Sequence, residues 1–500
     1  MLRQVMRTGC ALLGAGLLAF CFPSGALWWL AWVALVVLLI SAYEDALGAA
    51  FLRGYAAGFL FFISTLFWIH HVTSLGLILL SAYLALYWAV FFVAAAWSSS
   101  WNIGRRVIFL ASLWAGLEYV RAQAFTGFGW AALAHTQSAN ILLIQMADIT
   151  GTYGVSFVMA AVSVVAAAGI KAILRREKMP SGFRGAAGGV AFVVCAVLVY
   201  GACRLNVPVP LAKIRVALIQ SNMSLADYAD PRLKPYVVEK HLSLSREALR
   251  SHPQLVIWPE TSFPQFIWEN PDLFEKVRSF ARENKVKVLL GAVTRMGEAY
   301  FNSAIFIDEQ GQLAQAYDKQ HLVLFGEYIP FREQFPFLER LVPIDDFTAG
   351  KGDVLFPLAD GAAFCVLICF EDTLPDLARR AAGDGAGLLV NITNDAWFGP
   401  SRQPRMHLDN AVFRAVENRL ALVRATNTGM SCGILPTGEV AACVTAPDGR
   451  QAMVEGFRII DVPFHAGPPT FYTKYGDVFA MLCFLGILGV LIPMMRNPEA

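Results

Sequence analysis

"VLICFEDTLPD" (366–376) is an apolar, strand-like run that stops abruptly at a thiol, where Cys369 is followed by Phe370 and two acids, Glu371 and Asp372. A cysteine that only fills a core sits among aliphatic side chains, and negative neighbours make a thiolate harder to form. Either cations reach this thiol from elsewhere in the chain, or it is core filler. Runs of the same kind recur nearby: "KIRVALIQS" (213–221), "LVIWPE" (255–260), "VKVLLGAVT" (286–294), "AAFCVLICF" (362–370), "LLVNITND" (388–395) and "LALVRATN" (420–427). Helix-like stretches at 233–250, 271–284 and 404–419 lie between several of them. Near-continuous apolar strands alternating with helices imply an α/β domain whose sheets are covered. At about 270 residues the segment 205–475 is long enough for a substantial core.

The rest of the chain has a different composition. Over all 500 residues, 56% are hydrophobic and 16% charged, with a mean hydropathy of +0.51. Soluble domains carry about a quarter charged residues, so the balance points to a membrane protein. A formal net charge of +2 lacks the concentrated basic face of a nucleic-acid binder, and no nucleic-acid partner is expected. Seven apolar runs fill the first two hundred residues, at 8–22, 25–42, 54–71, 76–97, 107–121, 152–170 and 186–203, and an eighth lies at 478–495. Spanning helices need ~20 residues, which leaves 8–22 and 107–121 short. No A-x-A-like cleavage site follows the first run, so it is expected to remain as a span.

Lysines and arginines set the orientation, because they stay on the cytoplasmic side. Arg3 and Arg7 precede the first run, Arg53 follows the second, Arg105 and Arg106 follow the fourth, and five basic residues from Lys171 to Arg184 separate the sixth from the seventh. The alternate connections hold only Arg121. Both termini are therefore expected in the cytoplasm. The expected division is a seven-helix membrane domain at 1–204, an external α/β domain at 205–475, and a closing span with a short tail at 476–500.

Nine cysteines are present, and Cys365, Cys369, Cys432 and Cys443 lie inside the external segment, where thiols tend to be oxidised. Cys365 and Cys369 cannot pair along one extended strand, which separates them by ~13 Å. No spacing resembles a zinc site, and no metal or cofactor is expected. His321 and His407 are isolated and read as structural or solvated.

Two stretches share the oddity of Cys369, an ionisable residue at the end of an apolar run. "LVIWPETSFP" carries Glu260, and "YDKQHLVLFGEYIP" carries Lys319 and then Glu327. A carboxylate, an ammonium and a thiol supply a base, a charge stabiliser and a nucleophile. Taken singly, each residue is more often an exposed strand end or an inert buried thiol. Their order and contexts, however, resemble the nitrilase (carbon–nitrogen hydrolase) superfamily. "WPETSFP", "DKQHLVLFGEYIPF", "LICFED", "NITNDAWFG" and "RAVENRLALVRATNTGMS" are similar to the bacterial apolipoprotein N-acyltransferases within it, and the resemblance covers nearly the whole chain.

The resemblance implies an α-β-β-α sandwich for the external domain, held between about eight spans of an inner membrane. It implies Cys369 as nucleophile, Glu260 as general base and Lys319 as stabiliser of the oxyanion, with Glu327 and Glu371 required nearby. Phe370 stands where the family often has tyrosine. A tryptophan expected after the first strand is missing, and Tyr228 lies close in sequence. The implied reaction is ping-pong: a membrane phospholipid acylates Cys369, and the amino group of a diacylated apolipoprotein takes the chain. The chain is expected to be a monomer.

The aromatic stretches 261–268 and 328–347 read either as self-packed loops or as a lid against the bilayer, with Phe263, Phe266, Trp268, Phe331, Phe335, Phe337 and Leu338 as its lipid-facing members. Glu118 and Arg121, one helical turn apart in an apolar run, read as a structural salt bridge or as part of a lipid path. The competing activities are a membrane-tethered amidase or nitrilase, and a non-enzymatic scaffold or transporter. All three triad residue types in their motif contexts argue against the scaffold, and the many spans argue against a simple tether.

Overall fold

The computed structural model describes residues 2–496 except 24, 44–45, 126, 209–211, 331, 335–345, 359–360 and 465–466. Each apolar run forms a helix: α1 (Leu2–Phe20), α2 (Leu30–Ala42), α3 (Leu47–Thr65), α4 (Ser74–Trp97), α5 (Ile103–Gln123), α6 (Ala147–Arg175), α7 (Phe183–Leu205) and the closing helix Val478–Arg496. Among the described residues α3, α4, α6 and α7 are long and apolar enough to cross a membrane, while α1, α2 and the closing helix are apolar but shorter. The helix starts are written locally. Thr73 Oγ1 accepts the Gly76 N–H ahead of α4, and Asn102 Oδ1 accepts the Gly104 N–H ahead of α5. Small residues let helices approach: a Cβ on Gly54 would sit 2.6 Å from the Phe92 Cβ, and one on Gly58 would sit 2.8 Å from the Trp88 Cβ. α3 thus lies against α4 along a small-xxx-small stripe.

The chain forms two compact units, one of Met1–Val207, Ser401–Glu417 and Thr470–Ala500, the other of Pro208–Pro400 and Asn418–Pro469. The helix Gln403–Asn418, read from sequence as part of the external α/β segment, therefore groups almost entirely with the apolar helices. Its buried Glu417 accepts hydrogen bonds from the Thr152 N–H and Oγ1 at 3.1 and 2.8 Å, and pairs with Arg414 at 2.8 Å. His407, on the same helix, is buried with its ring 5.4 Å from that of Trp130. The expected Glu118–Arg121 salt bridge does not form. Glu118 Oε1 instead accepts from Trp114 Nε1 and the Leu133 N–H, and the Arg121 guanidinium lies 5.4 Å from the centre of the Phe62 ring. Both line a small pocket with Phe61, Trp88, Phe91 and Trp114.

The second unit is built on two sheets. The first runs β13-β1-β2-β4-β5-β6, with β3 also on β4, from β1 (Lys213–Gln220), β2 (Leu255–Ile257), β3 (Phe263–Phe266), β4 (Lys287–Met296), β5 (Ala299–Ile307), β6 (Leu313–Asp318) and β13 (Gly456–Pro463). The other runs β12-β11-β10-β9-β8-β7, from β7 (Leu355–Pro357), β8 (Ala363–Ile368), β9 (Leu388–Thr393), β10 (Leu422–Thr426), β11 (Cys432–Ile434) and β12 (Val440–Cys443). β1, β2 and β4 are parallel, as are β8, β9 and β10, and antiparallel strands flank both trios.

Ile214, Val216, Leu218, Ile257 and Phe306 of the first sheet share one buried cluster with Phe364, Val366, Ile368, Val390 and Val423 of the second. The opposite face of the first sheet packs on the helices Lys234–Ala248 and Pro271–Asn284 through Val238, Leu242, Val277 and Phe280. The helix Pro375–Gly383 buries Leu377, Ala378 and Ala381. Continuous apolar runs are what strands buried on both faces require. The expected sandwich is present.

Candidate active site

Four strands of the second unit end where ionisable or polar groups begin. Glu260 follows β2, Lys319 follows β6, Cys369 follows β8 and Asn394 follows β9. Carboxyl ends of strands are where open α/β sheets place ligands. The expected 362–370 strand stops one residue short of the thiol. Cys369 has φ +52° and opens a short 3₁₀ turn, Cys369–Thr373. That left-handed backbone costs about 1–2 kcal/mol for a residue with a Cβ. It turns the chain sharply at the thiol.

Lys319 is buried and sits among carboxylates. Its Nζ donates to Glu327 Oε1 at 2.9 Å, lies 2.8 Å from Glu327 Oε2, and is 3.8 Å from Glu260 Oε1. Asn302, in β5, joins the two acids: its Nδ2 donates to Glu260 Oε1 at 2.7 Å and to Glu327 Oε1 at 2.9 Å. Backbone N–H groups complete the set, Asn394 to Glu260 Oε2 and Val323 to Glu327 Oε2, both at 2.8 Å. The approach of Glu260 depends on Gly291 in β4, where a Cβ would come within 2.5 Å of the Glu260 Cα.

Burial and these partners separate the two carboxylates electrostatically. Burial raises the Glu260 pKa, and the nearby Glu327 adds to the rise against the pull of Lys319. Burial also acts on Glu327, but contact with Lys319 and the hydrogen bonds of Lys319, Asn302 and Val323 outweigh it and hold its pKa below the ordinary value. Burial would lower the Lys319 pKa, yet Glu327, Cys369 and Glu260 together raise it, so the ammonium stays charged. Burial and then Glu260 push the Cys369 thiol well up, with Lys319 and a hydrogen bond to Thr393 opposing them. At neutral pH burial keeps the Cys369 thiol protonated, and Glu260 lies near enough for its charge to reinforce that.

The acids after the thiol have other work. Glu371 is fully buried and faces the backbone: it accepts the N–H groups of Gln320, His321 and Ile368 and the Tyr317 hydroxyl at 2.7 to 3.1 Å. It ties the segment carrying Lys319 to the turn carrying Cys369. Burial lifts its pKa to about 7, against those N–H groups and Lys319. Asp372 forms a fully buried ion pair with Arg424 of β10. Phe370 stacks on His321, with ring centres 6.1 Å apart and 17° between planes.

The residues read as lid or self-packed loop fall in different surroundings. Phe263 is buried in the core beside Phe274, rings 5.9 Å apart, and so is not lipid-facing: β3 turns it onto the helices. Phe266 is half-buried and stacks on Tyr300 at 5.4 Å, while Trp268 is 61% exposed. Phe331, Phe335, Phe337 and Leu338 lie outside the described residues. Asn302, Asn394, Gly291 and Arg424 escaped the sequence reading. The one local signal was Asn302, a lone amide within an otherwise strand-like run, "AYFNSAIFI" (299–307).

Residues 14–165 match the model of the apolipoprotein N-acyltransferase N-terminal domain, and residues 215–453 match that of carbon–nitrogen hydrolases. An apolipoprotein N-acyltransferase of Geobacter metallireducens is 38% identical over 496 residues, 95% of this chain and 93% of the relative. One of Gloeobacter violaceus is 31% identical over 94% of this chain and 91% of its own. A solved amidase from Nesterenkonia sp. aligns with 55% of this chain and 98% of its own at 20% identity, with a TM-score of 0.40.

Because the Cys369 pKa lies above the ordinary 9.0, alkylation of Cys369 by a small soluble reagent should be slow at neutral pH. It should rise about tenfold per pH unit toward and beyond pH 9. A rate that is already flat near neutrality contradicts this. Arg424→Met removes the buried ion pair with Asp372 and should destabilise the second unit by about 3–5 kcal/mol, whereas Arg424→Met with Asp372→Leu should recover most of the loss in thermal unfolding.

Proposed function

The chain belongs to the apolipoprotein N-acyltransferase family, an acyltransferase branch of the nitrilase superfamily, and from that premise we propose how its own residues carry out lipoprotein N-acylation. Glu260, Lys319 and Cys369 act as a base, a cation and a nucleophile. Cys369 Sγ attacks an ester carbonyl of a membrane phospholipid while Glu260 takes the thiol proton. Lys319 balances the oxyanion that forms. Collapse expels the lysophospholipid alkoxide, which leaves with the proton held by Glu260, and a thioester remains. The α-amino group of a diacylglyceryl-cysteine then attacks the thioester and Glu260 accepts its proton. The amide forms and the thiol is restored.

The observation that carries this reading is the unequal sharing of Lys319. Glu327 holds the ammonium at 2.8 Å and Glu260 stands at 3.8 Å, with its pKa raised by burial. One carboxylate fixes the cation and the other keeps its basicity. An oxyanion donor of this kind contributes about 10²–10³ in rate. Asn302 and Glu327 position the pair, and Glu371 positions the backbone. The lysine and arginine pattern supports an external, periplasmic placement of the second unit, an inner-membrane location and cytoplasmic termini. Exposed Trp268 supports contact of its loop with the bilayer.

The test is the intact mass of the purified full-length protein after incubation with phospholipid vesicles. The expected result is a fatty-acyl adduct, missing in Cys369→Ala and discharged by a diacylated lipopeptide. No adduct, or discharge only to water, overturns the transferase reading.

A further inference from the structure

Two thiols of the second unit stand away from the site. Cys432 lies in β11 and Cys443 in β12, the terminal strand of the second sheet, and the two are direct cross-strand partners in an antiparallel register. The neighbouring pair fixes the type of this one. The Val444 N–H donates to the Ser431 carbonyl at 2.9 Å. That bond places 431 opposite 444 at a hydrogen-bonding position of the ladder, although the Ser431 N–H itself donates to Gln220 Oε1, and 432 opposite 443 is the next, non-hydrogen-bonded position, where the strands bring side chains closest. Cα atoms in such pairs stand about 4.5 Å apart, inside the span a disulfide bridges. Cys432 is fully buried and Cys443 half-buried.

We propose that Cys432 and Cys443 form a cross-strand disulfide that locks the β11–β12 hairpin. The inference rests on the external placement proposed above. The oxidant is the disulfide of a thiol–disulfide oxidoreductase of that compartment. The more accessible Cys443 attacks it as thiolate and forms a mixed disulfide, and Cys432 then displaces the oxidoreductase sulfur. Two thiols lose two protons and two electrons, and the oxidoreductase leaves as its dithiol. The bond pins a terminal strand, which is otherwise open to pairing and fraying. It also removes two thiols that could form a wrong disulfide with Cys369. Three strands of the second sheet, β9, β10 and β11, separate β12 from β8, the strand that leads to Cys369.

The experiment counts thiols in the full-length protein, inserted by its host membrane, denatured without reductant and labelled with a maleimide. Of the nine cysteines in the chain, seven should label, and all nine should label after reduction. A peptide linking Cys432 to Cys443 should appear in the unreduced digest. Reductant should lower the Tm of the wild type by roughly 5–10 °C and leave that of Cys443→Ser unchanged, with acyl transfer retained in both. Nine labels without reductant, or a bridge to any other cysteine, overturn the proposal. Protease accessibility of the second unit from the periplasmic side, read on the same sample, tells whether the external placement fell with it.

Discussion

One ammonium group is shared by two buried carboxylates, and the rest of the site follows from how unequally it is shared. Lys319 has almost no contact with water, so its charge must be balanced from within the protein. Glu327 does this through two short contacts and is held ionised. Glu260 stands a further ångström away, and burial dominates its behaviour. Two titratable groups driven apart by their surroundings mark out an acid–base pair of roles. Asn302 prevents the two acids from drifting by donating to both.

The same economy governs the backbone around the thiol. Cys369 sits in a left-handed conformation at the end of β8, where the chain must turn within one residue. Glu371 would suppress the thiol if its charge faced it. Instead its carboxylate is spent on four donors from two segments, and it fixes the distance between the Lys319 loop and the Cys369 turn. Asp372 is neutralised by Arg424 across the second sheet. The acids that follow Cys369 in sequence are therefore structural anchors, and the proposed base, Glu260, arrives from the other sheet, after β2.

Much of this was legible in the sequence because it is local. Each apolar run became a helix, although the 54–71 run is displaced to Leu47–Thr65 and the 8–22 run starts at Leu2; "KIRVALIQS", "LVIWPE", "LLVNITND" and "LALVRATN" contain β1, β2, β9 and β10, and "VKVLLGAVT" holds all of β4 but its last two residues, Arg295 and Met296. Strands buried on both faces write themselves as continuous apolar stretches. The flanking strands did not: β6 and β12 are short and mostly exposed or half-exposed, so their pattern is diluted. Long-range partners left no local trace either. Nothing near Asp372 announces Arg424, 52 residues on. Nothing near Phe263 distinguishes a core ring from a lipid-facing one until β3 pairs with β4. The grouping of Gln403–Asn418 with the apolar helices rests on Glu417 meeting Thr152, a contact 265 residues apart.

The central claim is that Glu327 serves by fixing the charge and position of Lys319, leaving Glu260 to act as base. The most direct measurement is the single-turnover rate of Cys369 acylation by phospholipid in Glu327→Gln, followed between about pH 6 and 9 beside a thermal-unfolding control. The account predicts a folded protein whose acylation is slower by about 100-fold or more across that range. A folded Glu327→Gln protein that acylates Cys369 at the wild-type rate contradicts it.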